Sequence, residues 1–432
     1  MRQKVNFSLT LLTIMLLMIG CRSTLLEPEQ IYREIPDALV PELSILGPHN
    51  IGVRTLELVN PNQLNILTKE RANRSLVVEV WYPAQLTASE DYTHYINRTL
   101  GKKQFSIQAK AYRDHPIASH DNKIPLVIIS HGHPGYRTLM FYLGEHLASH
   151  GYIVAAIDHT DSTNTDISFP ADSIENVASS LYNRSRDQQF LLDHLTSANS
   201  FLSKHVDNQR AGLVGYSMGG YGAINTLGGC YSYTEELIKR MTGITNLLQI
   251  TTLKNHLNSC AGGQYENIVV DKKWHASMIL APWGNQYGLF DLTTLAKIDI
   301  PILYMAGELD DVVPYNSIKA LFESTGGANT YLLTYHNARH NIAPHPAPSI
   351  ARQSVTELSH YYNSSWDNQT LNENNKHFAL ALMNCHLKQL NKYCNYLKLH
   401  GNSDQTPVRG IKPKPWLGFP DLNSAGMSWK HK

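Results

Sequence analysis

One serine of this sequence lies in a setting that is typical of an enzymatic nucleophile. Ser217 stands in the run "GLVGYSMGGYGA", with a glycine two positions before it and another two positions after it. When a strand ends in such a G-x-S-x-G motif and continues into a helix, the tight turn lifts the serine hydroxyl out of the sheet. Here "AGLV" predicts the strand and "MGGYGAINTL" predicts a helix rich in small residues. The alternative is an ordinary serine in a glycine-rich turn, because the motif alone is weakly specific.

The sequence also supplies candidates for the base and the acid that a serine nucleophile requires. A serine hydroxyl reacts poorly unless a base accepts its proton and a carboxylate orients that base. After Ser217, the predicted strand "IPILYMAG" leads into "ELDDVVP", which contains Asp310. The following strand leads into "TYHNARHN", which contains His336 and His340. We favour His340 as the base, because it follows the strand in a loop whereas His336 lies at the strand end.

Two backbone N–H groups are candidates for an oxyanion hole, the pair of donors that stabilises the negative oxygen of a tetrahedral intermediate. One is the N–H of Met218, directly after the candidate nucleophile. The other is the N–H of His133, in the turn "SHGHPG" after a predicted strand. An ordinary Gly/Pro turn is the alternative interpretation of that segment. The run "HGH" has no evident carboxylate partner nearby for a metal site, and "DHTD" is a possible cluster of metal ligands. We expect neither a metal nor a cofactor.

Short apolar strands that alternate with helices must position these groups. Strands are predicted at residues 76–84, 124–132, 152–160, 211–216, 275–283, 300–307 and 330–336. Helices are predicted at residues 136–151, 185–198 and 218–229, and a last one near residues 375–397. The strand at 124–132 is a continuous apolar run, as a strand covered on both faces requires. This alternation predicts an α/β fold with a mostly parallel central sheet and helices on both faces.

The N-terminus has the pattern of a targeting segment. Arg2 and Lys4 precede an apolar stretch that is too short for a comfortable membrane span and that ends at Gly20 and Cys21. This pattern resembles a bacterial lipoprotein signal, which is cleaved before a cysteine that is then lipidated. We therefore expect an exported, membrane-anchored lipoprotein with Cys21 as the lipidation site. A plain secretory signal, giving a periplasmic or secreted protein, is the alternative.

These patterns divide the chain into four parts. We predict a signal peptide at residues 1–20, a tether and N-terminal extension at 21–75, the α/β domain at 76–400 and a C-terminal extension at 401–432. The polar, Asn-rich residues 231–273 interrupt the domain and could form a cap or lid. The net charge of +1, from 37 basic and 36 acidic residues, gives no sign of a nucleic-acid partner.

Four cysteines remain after Cys21, and they predict disulfide bonds. An exported chain meets an oxidising compartment, where an even number of cysteines fits complete pairing. Three pairings are possible for four cysteines. The short separations in sequence favour the pairs Cys230–Cys260 and Cys385–Cys394.

The quoted motifs together resemble the α/β-hydrolase superfamily. Within it, the chain is similar to bacterial proteins described as predicted dienelactone hydrolases, which are related to platelet-activating factor acetylhydrolase. The likeness runs over residues 76–341 apart from residues 231–273, and it includes "VVEVWYPA", "PLVIISHGHPGYRT" and "PILYMAGELDDVVP". It implies an α/β-hydrolase fold, a triad in the chain order Ser217, Asp310, His340, and an oxyanion hole from His133 and Met218.

The resemblance also bears on the acid and on the substrate. The family pattern places the acid four residues before a proline, which selects Asp310 over Asp311 because Pro314 follows. True dienelactone hydrolases have a cysteine nucleophile where this chain has Ser217, so their substrate is not carried over.

We therefore expect a serine hydrolase that cleaves carboxylic esters through an acyl-enzyme intermediate, as a surface-anchored, esterase- or lipase-like enzyme. Its substrate would be an ester-containing small molecule or lipid, and its other partner the membrane that holds the lipid anchor. A non-catalytic surface binding protein on the same scaffold is one alternative, because fold alone does not imply function. An amide or peptide hydrolase of the same fold is another.

Overall fold

The computed structural model describes residues 27–86, 91–167, 172–263, 269–404, 414–421 and 425–432. The predicted signal peptide and Cys21 lie outside the described residues. The strands are β1 (Ile51–Leu64), β2 (Arg71–Pro83), β3 (His94–Arg98), β4 (Gln104–Gln108), β5 (Tyr112–Arg113), β6 (Ile124–Ser130), β7 (Ile153–Asp158), β8 (Val206–Tyr216), β9 (Trp274–Leu280), β10 (Ile302–Gly307), β11 (Thr330–Tyr335), β12 (Gly401–Asn402) and β13 (Met427–His431). The helices are α1 (Phe141–Ser149), α2 (Ile174–Thr196), α3 (Met218–Thr226), α4 (Glu235–Thr242), α5 (Leu247–Leu257), α6 (Leu292–Leu295), α7 (Tyr315–Ser324), α8 (Val355–Leu358), α9 (Asn368–His386) and α10 (Asn391–Cys394). None of the described helices is both long and apolar enough to cross a membrane.

An eleven-stranded sheet organises the molecule, in the order β12-β13-β11-β10-β9-β8-β6-β7-β2-β1-β5. The six central strands, from β11 to β7, run parallel, and antiparallel strands flank them on both sides. Every residue of β6 is buried, as its continuous apolar sequence predicts for a strand that is covered on both faces. The predicted mostly parallel sheet is therefore confirmed.

Helices cover both faces of this sheet. Successive residues of β6 alternate between the two faces, so that Val127 and Ile129 join one hydrophobic core and Leu126 and Ile128 join the other. Residues of α1 and α9 pack in the first core, and residues of α2, α3 and α7 pack in the second. The carboxyl ends of the parallel strands consequently meet at one edge of the sheet, where their loops lie close together.

Some strands of the sheet lie outside the predicted 76–400 domain. The strand β1, which pairs with β2 along most of its length, places part of the predicted N-terminal extension in the sheet ahead of residue 76. The strands β12 and β13, with β13 paired to β11, place part of the predicted C-terminal extension at the opposite edge. The short strand β5, which lies within residues 76–400, forms the edge beside β1.

Both predicted disulfide pairs are present. Cys230 and Cys260, whose Cα atoms lie 4.4 Å apart, join the ends of a segment that carries α4 and α5. Cys385 and Cys394, with Cα atoms 4.9 Å apart, connect α9 to α10. The first bond encloses most of the predicted lid at residues 231–273, and Met241 of α4 lines the cavity beside Ser217. A lid function for this segment stays a prediction.

Candidate active site

Ser217 occupies a sharp turn between β8 and α3. Its backbone has φ 52° and ψ −113°, a conformation that is strained for a residue with a side chain. The turn requires glycine on its helical side, since a Cβ atom at Gly219 would lie 2.0 Å from the carbonyl oxygen of Ser130. The predicted strand, serine and helix therefore stand in the geometry of a nucleophile elbow, with Ser217 at the cavity wall.

His340 and Asp310 lie in line with Ser217. The Nε2 atom of His340 is 3.0 Å from Ser217 Oγ, and its Nδ1 atom is 2.8 Å from Asp310 Oδ2 and 3.0 Å from Oδ1. Ser217 follows β8, Asp310 follows β10 and His340 follows β11. The carboxyl ends of these parallel strands lie at one edge of the sheet, which brings the three residues together although they are far apart in sequence. The arrangement can move a proton from the serine hydroxyl to the imidazole and stabilise the resulting cation.

The carboxylate of Asp310 is fixed from two sides. Its Oδ1 atom accepts hydrogen bonds from the backbone N–H groups of Val312, at 2.9 Å, and Val313, at 2.7 Å. Its side chain is 0% exposed. Because these donors and His340 share one carboxylate, the carboxylate holds both the loop and the orientation of the imidazole.

The neighbouring candidates lie elsewhere. Asp311, with a side chain that is 54% exposed, pairs with Arg339 at 2.8 Å. His336, at the end of β11, lies 3.3 Å from the carboxylate of Glu308. The structure thus brings Asp310 and His340 to Ser217 and leaves Asp311 beside Arg339 and His336 beside Glu308.

The predicted oxyanion donors both border the nucleophile. Met218 is the first residue of α3, so that its N–H has no partner four residues back within the helix. The turn after β6 packs against the elbow, since a Cβ atom at Gly132 would lie 3.3 Å from Ser217 Cβ. His133 follows in that turn and lines the same cavity. Both residues therefore lie beside Ser217, where their N–H groups could donate to an oxygen of a bound substrate.

The cavity that contains these groups has a volume of about 720 Å³. Apolar and aromatic side chains form much of its wall: Tyr136, Leu139, Val177, Leu181, Tyr216, Met241, Trp283, Val312, Tyr361 and Tyr362. Such a wall, with a few polar groups at one place, is typical of a small-molecule site.

A polar network behind the turn at residues 131–135 was not foreseen from the sequence. The side chain of His133 contacts Ser162, with 2.7 Å from Nδ1 to Oγ, and Asp172, with 3.1 Å from Nε2 to Oδ2. Burial and the nearby charge of Arg184 lower the pKa of His133 to about 4, so its imidazole is neutral at pH 7. The predicted helix at residues 185–198 begins one residue after Arg184. The spacing of Arg184, Asp187 and Gln188, which places them on one helix face, is the sequence feature that could have indicated this network.

The run "DHTD" is also part of a network. Asp158 pairs with Arg137 and Asp161 with Arg74, while His159 contacts Ser130. Among the described residues, no three His, Cys, Asp or Glu side chains come together in a way that would hold a metal ion.

Part of the chain matches a known family. Residues 40–192 match the family model of platelet-activating factor acetylhydrolase, isoform II. The chain is similar to the platelet-activating factor acetylhydrolase of Cavia porcellus, with 31% identity over 27% of this chain and 28% of the relative. It is similar to cutinase est1 of Thermobifida alba, with 25% identity over 60% of this chain and 64% of the relative. These alignments span less than two thirds of the relatives' own length.

A solved structure extends the likeness to most of the chain. The ferulic acid esterase from Streptomyces cinnamoneus superimposes with a TM-score of 0.57, over 88% of this chain and 96% of that one. The sequence identity is 20%, so the match establishes the fold. The predicted α/β-hydrolase fold is thereby confirmed, and so is the resemblance to the acetylhydrolases.

Proposed function

We propose that the chain is a serine hydrolase of the α/β-hydrolase superfamily that cleaves carboxylic esters through an acyl-enzyme intermediate. The observation that best supports the proposal is the line of hydrogen-bonding contacts from Asp310 through His340 to Ser217 at the wall of the cavity. The relatives named acetylhydrolase, cutinase and ferulic acid esterase act on esters, which supports the same reaction class.

In the first half of the reaction, the ester acylates Ser217. His340 Nε2 takes the hydroxyl proton while Ser217 Oγ attacks the carbonyl carbon, and a tetrahedral intermediate forms. The N–H groups of Met218 and His133 donate to its negative oxygen, and Asp310 stabilises the imidazolium. When the C–O bond to the alcohol breaks, Nε2 gives its proton to the leaving oxygen.

In the second half, water releases the acid. His340 takes a proton from a water molecule, whose oxygen attacks the acyl carbon through a second tetrahedral intermediate. The bond to Ser217 Oγ then breaks and the oxygen recovers its proton from Nε2. The net reaction adds one water molecule across the ester, and the enzyme returns to its starting state without a cofactor.

The substrate that we propose is an ester-containing small molecule or lipid. The apolar and aromatic wall of the cavity suits an acyl or aryl group, and its volume of about 720 Å³ falls in the range of drug-sized ligands. We also propose that the protein is exported and held at a bacterial membrane through a lipid on Cys21. That proposal is supported by the charged, apolar and small residues that precede this cysteine.

A fluorophosphonate probe, which reacts with activated serines, tests the mechanism. The wild type should be labelled on Ser217, and Ser217→Ala should lose both the label and about 10⁶ in kcat on p-nitrophenyl butyrate. The matched control is Ser359→Ala: this serine lines the same cavity but donates to Thr356 O and not to His340, so labelling should persist. An unlabelled wild type would favour the non-catalytic binding protein.

The amide-hydrolase alternative has its own test. The kcat/KM of p-nitrophenyl butyrate is compared with that of butyryl p-nitroanilide, which presents the same acyl group. Because the ester is intrinsically the more reactive, each value is divided by the rate of uncatalysed hydrolysis of the same compound. A larger acceleration of ester cleavage supports the proposal, and a larger acceleration of anilide cleavage supports the alternative. A series of p-nitrophenyl esters of rising chain length then measures how long an acyl group the cavity accepts.

A further inference from the structure

Arg184, on α2, is a buried cation that forms no ion pair with a carboxylate of the described residues, although Asp187 is near enough to act on its charge. It is 1% exposed, and none of the ion pairs between described residues includes it. Its Nη1 atom instead donates to the carbonyl oxygen of His131, at 2.8 Å, and its Nη2 atom donates to Ser162 Oγ. Burying an unpaired charge is costly. This charge lies beside the turn at residues 131–135, which carries the candidate oxyanion donor His133. We therefore look for a functional reason for the buried charge.

The contacts of Arg184 continue to His133. A guanidinium group only donates, so Ser162 Oγ accepts from Arg184 and is free to give its own proton to His133 Nδ1, at 2.7 Å. The imidazole of His133 then carries its proton on Nε2, which faces Asp172 at 3.1 Å. The backbone oxygen of Ser162 also accepts from the N–H of Gly135, at 3.2 Å. One arginine thus holds the start of the turn directly and its middle through Ser162.

The same face of α2 also joins this turn to the nucleophile elbow. Gln188, four residues after Arg184, donates from Nε2 to Ser130 Oγ at 2.9 Å and to the backbone oxygen of Gly219 at 3.0 Å. Arg184 itself packs on α3, since a Cβ atom at Gly222 would lie 2.5 Å from its Cγ. The helix therefore fixes the position of the turn relative to Ser217.

We propose that Arg184 is a positioning residue for the oxyanion hole, which holds the turn at residues 131–135 so that the His133 N–H meets the oxygen of the tetrahedral intermediate. This inference rests on the proposed ester hydrolysis. Burial lowers the pKa of Arg184 to about 9, so the side chain stays charged and all of its N–H groups stay donors at pH 7. Since an oxyanion hole acts on the transition state more than on the bound ester, Arg184 should affect kcat and leave KM nearly unchanged.

Three variants test the role of Arg184 by kinetics. Arg184→Met removes the donors at similar length. Ser162→Ala is a milder change that removes the hydroxyl joining Arg184 to His133 and keeps the bond from Arg184 to His131. Arg186→Met is the matched control, because Arg186 lies on the same helix but stacks on Tyr182, with 3.6 Å to the ring centroid. On p-nitrophenyl butyrate we expect kcat to fall about 10²-fold for Arg184→Met and about tenfold for Ser162→Ala, with KM within about threefold of the wild type.

The kinetic result that would overturn the inference is a loss in Arg184→Met no larger than that in Arg186→Met. A rise in KM at constant kcat would overturn it as well, because it would mean that Arg184 acts on substrate binding.

Amide hydrogen exchange over residues 130–136, measured without substrate, gives a second readout. Exchange should be faster than in the wild type for Arg184→Met and Ser162→Ala, and unchanged for Arg186→Met. Unchanged exchange in Ser162→Ala would contradict the inference even if Arg184→Met fails to fold. Amide exchange can be measured without turnover. A wild type that cleaves no ester would therefore refute the proposed function, while the exchange comparison would still test whether Arg184 holds the turn.

Discussion

Replacing Asp310 with asparagine should damage catalysis, because it should move the ring proton of His340 from Nδ1 to Nε2. Asp310 Oδ1 accepts from two backbone N–H groups, while Oδ2 approaches His340 Nδ1 at 2.8 Å. In Asp310→Asn, the amide oxygen keeps the backbone bonds and the NH₂ group takes the place of Oδ2. That NH₂ group donates to Nδ1, so the ring proton moves to Nε2. His340 then cannot accept the proton of Ser217.

The expected loss is about 10⁴ in kcat, as in other triads that present an amide to the histidine. This factor corresponds to about 5 kcal/mol of transition-state stabilisation. The fold should survive, because the amide is isosteric with the carboxylate and its oxygen preserves both backbone bonds. Melting temperatures of Asp310→Asn and the wild type should therefore agree within a few degrees.

Asp311→Asn is the matched control, since it makes the same change one residue further along the chain. Asp311 is half exposed and pairs with Arg339 at the surface, where an ion pair contributes about 0–1 kcal/mol. Its kcat on p-nitrophenyl butyrate should change by less than about tenfold, because solvent and salt screen the lost charge. If Asp311→Asn were the inactive variant and Asp310→Asn were not, the assignment of the acid would be wrong.

Two further predictions concern the cysteines. Cys21→Ala should prevent lipidation, so that the protein leaves the membrane fraction or stays uncleaved, because membrane binding through a lipid depends on burial of its acyl chains. A Cys21→Ala protein that is processed and still requires detergent would contradict the anchor. Alkylation of the unfolded, unreduced mature protein, followed by mass spectrometry, should modify none of the four cysteines of the two disulfides. Modification of two or more would contradict the pairing.

The central strands could be predicted from the sequence, whereas the strands at the edges could not. The strand β6 has a continuous apolar sequence because both of its faces are covered. The strand β1 is 14 residues long but carries "NPNQL" at its end and is largely exposed in its second half. The strand β13 has the sequence "MSWKH" and pairs at one margin of the sheet. Strands of this kind, near the margins of the sheet, show little apolar periodicity, so the sequence pattern does not separate them from extensions.

The candidate site was predictable to the extent that loops after adjacent parallel strands must meet. This rule brings together the loops that carry Ser217, Asp310 and His340 without any knowledge of side-chain packing. The choice of Asp310 over Asp311 depends on the family resemblance. The network around Arg184 was not predictable in this way. Its helix begins at Ile174, but polar residues occupy its buried face, which hides the usual amphipathic pattern. The predicted helix consequently began at residue 185, after Arg184.

A second line of serine, histidine and aspartate lies beside the first, and comparing the two shows what makes a serine available for catalysis. Ser130 Oγ is 2.8 Å from His159 Nε2, and His159 Nδ1 is 2.9 Å from Asp187 Oδ2, distances close to those around Ser217. Ser130 is nevertheless 0% exposed, and its oxygen accepts from Gln188 while its proton faces the histidine.

A substrate carbonyl therefore cannot reach Ser130. Burial also lowers the pKa of His159 to about 3, so this imidazole resists the protonation that a general base must undergo. Ser217 has the same two kinds of partner, but its strained turn exposes it at the cavity beside two backbone donors. Hydrogen-bond geometry is thus shared by both lines. The turn that presents Ser217 to the cavity distinguishes this proposed nucleophile from a serine that holds a strand end in place.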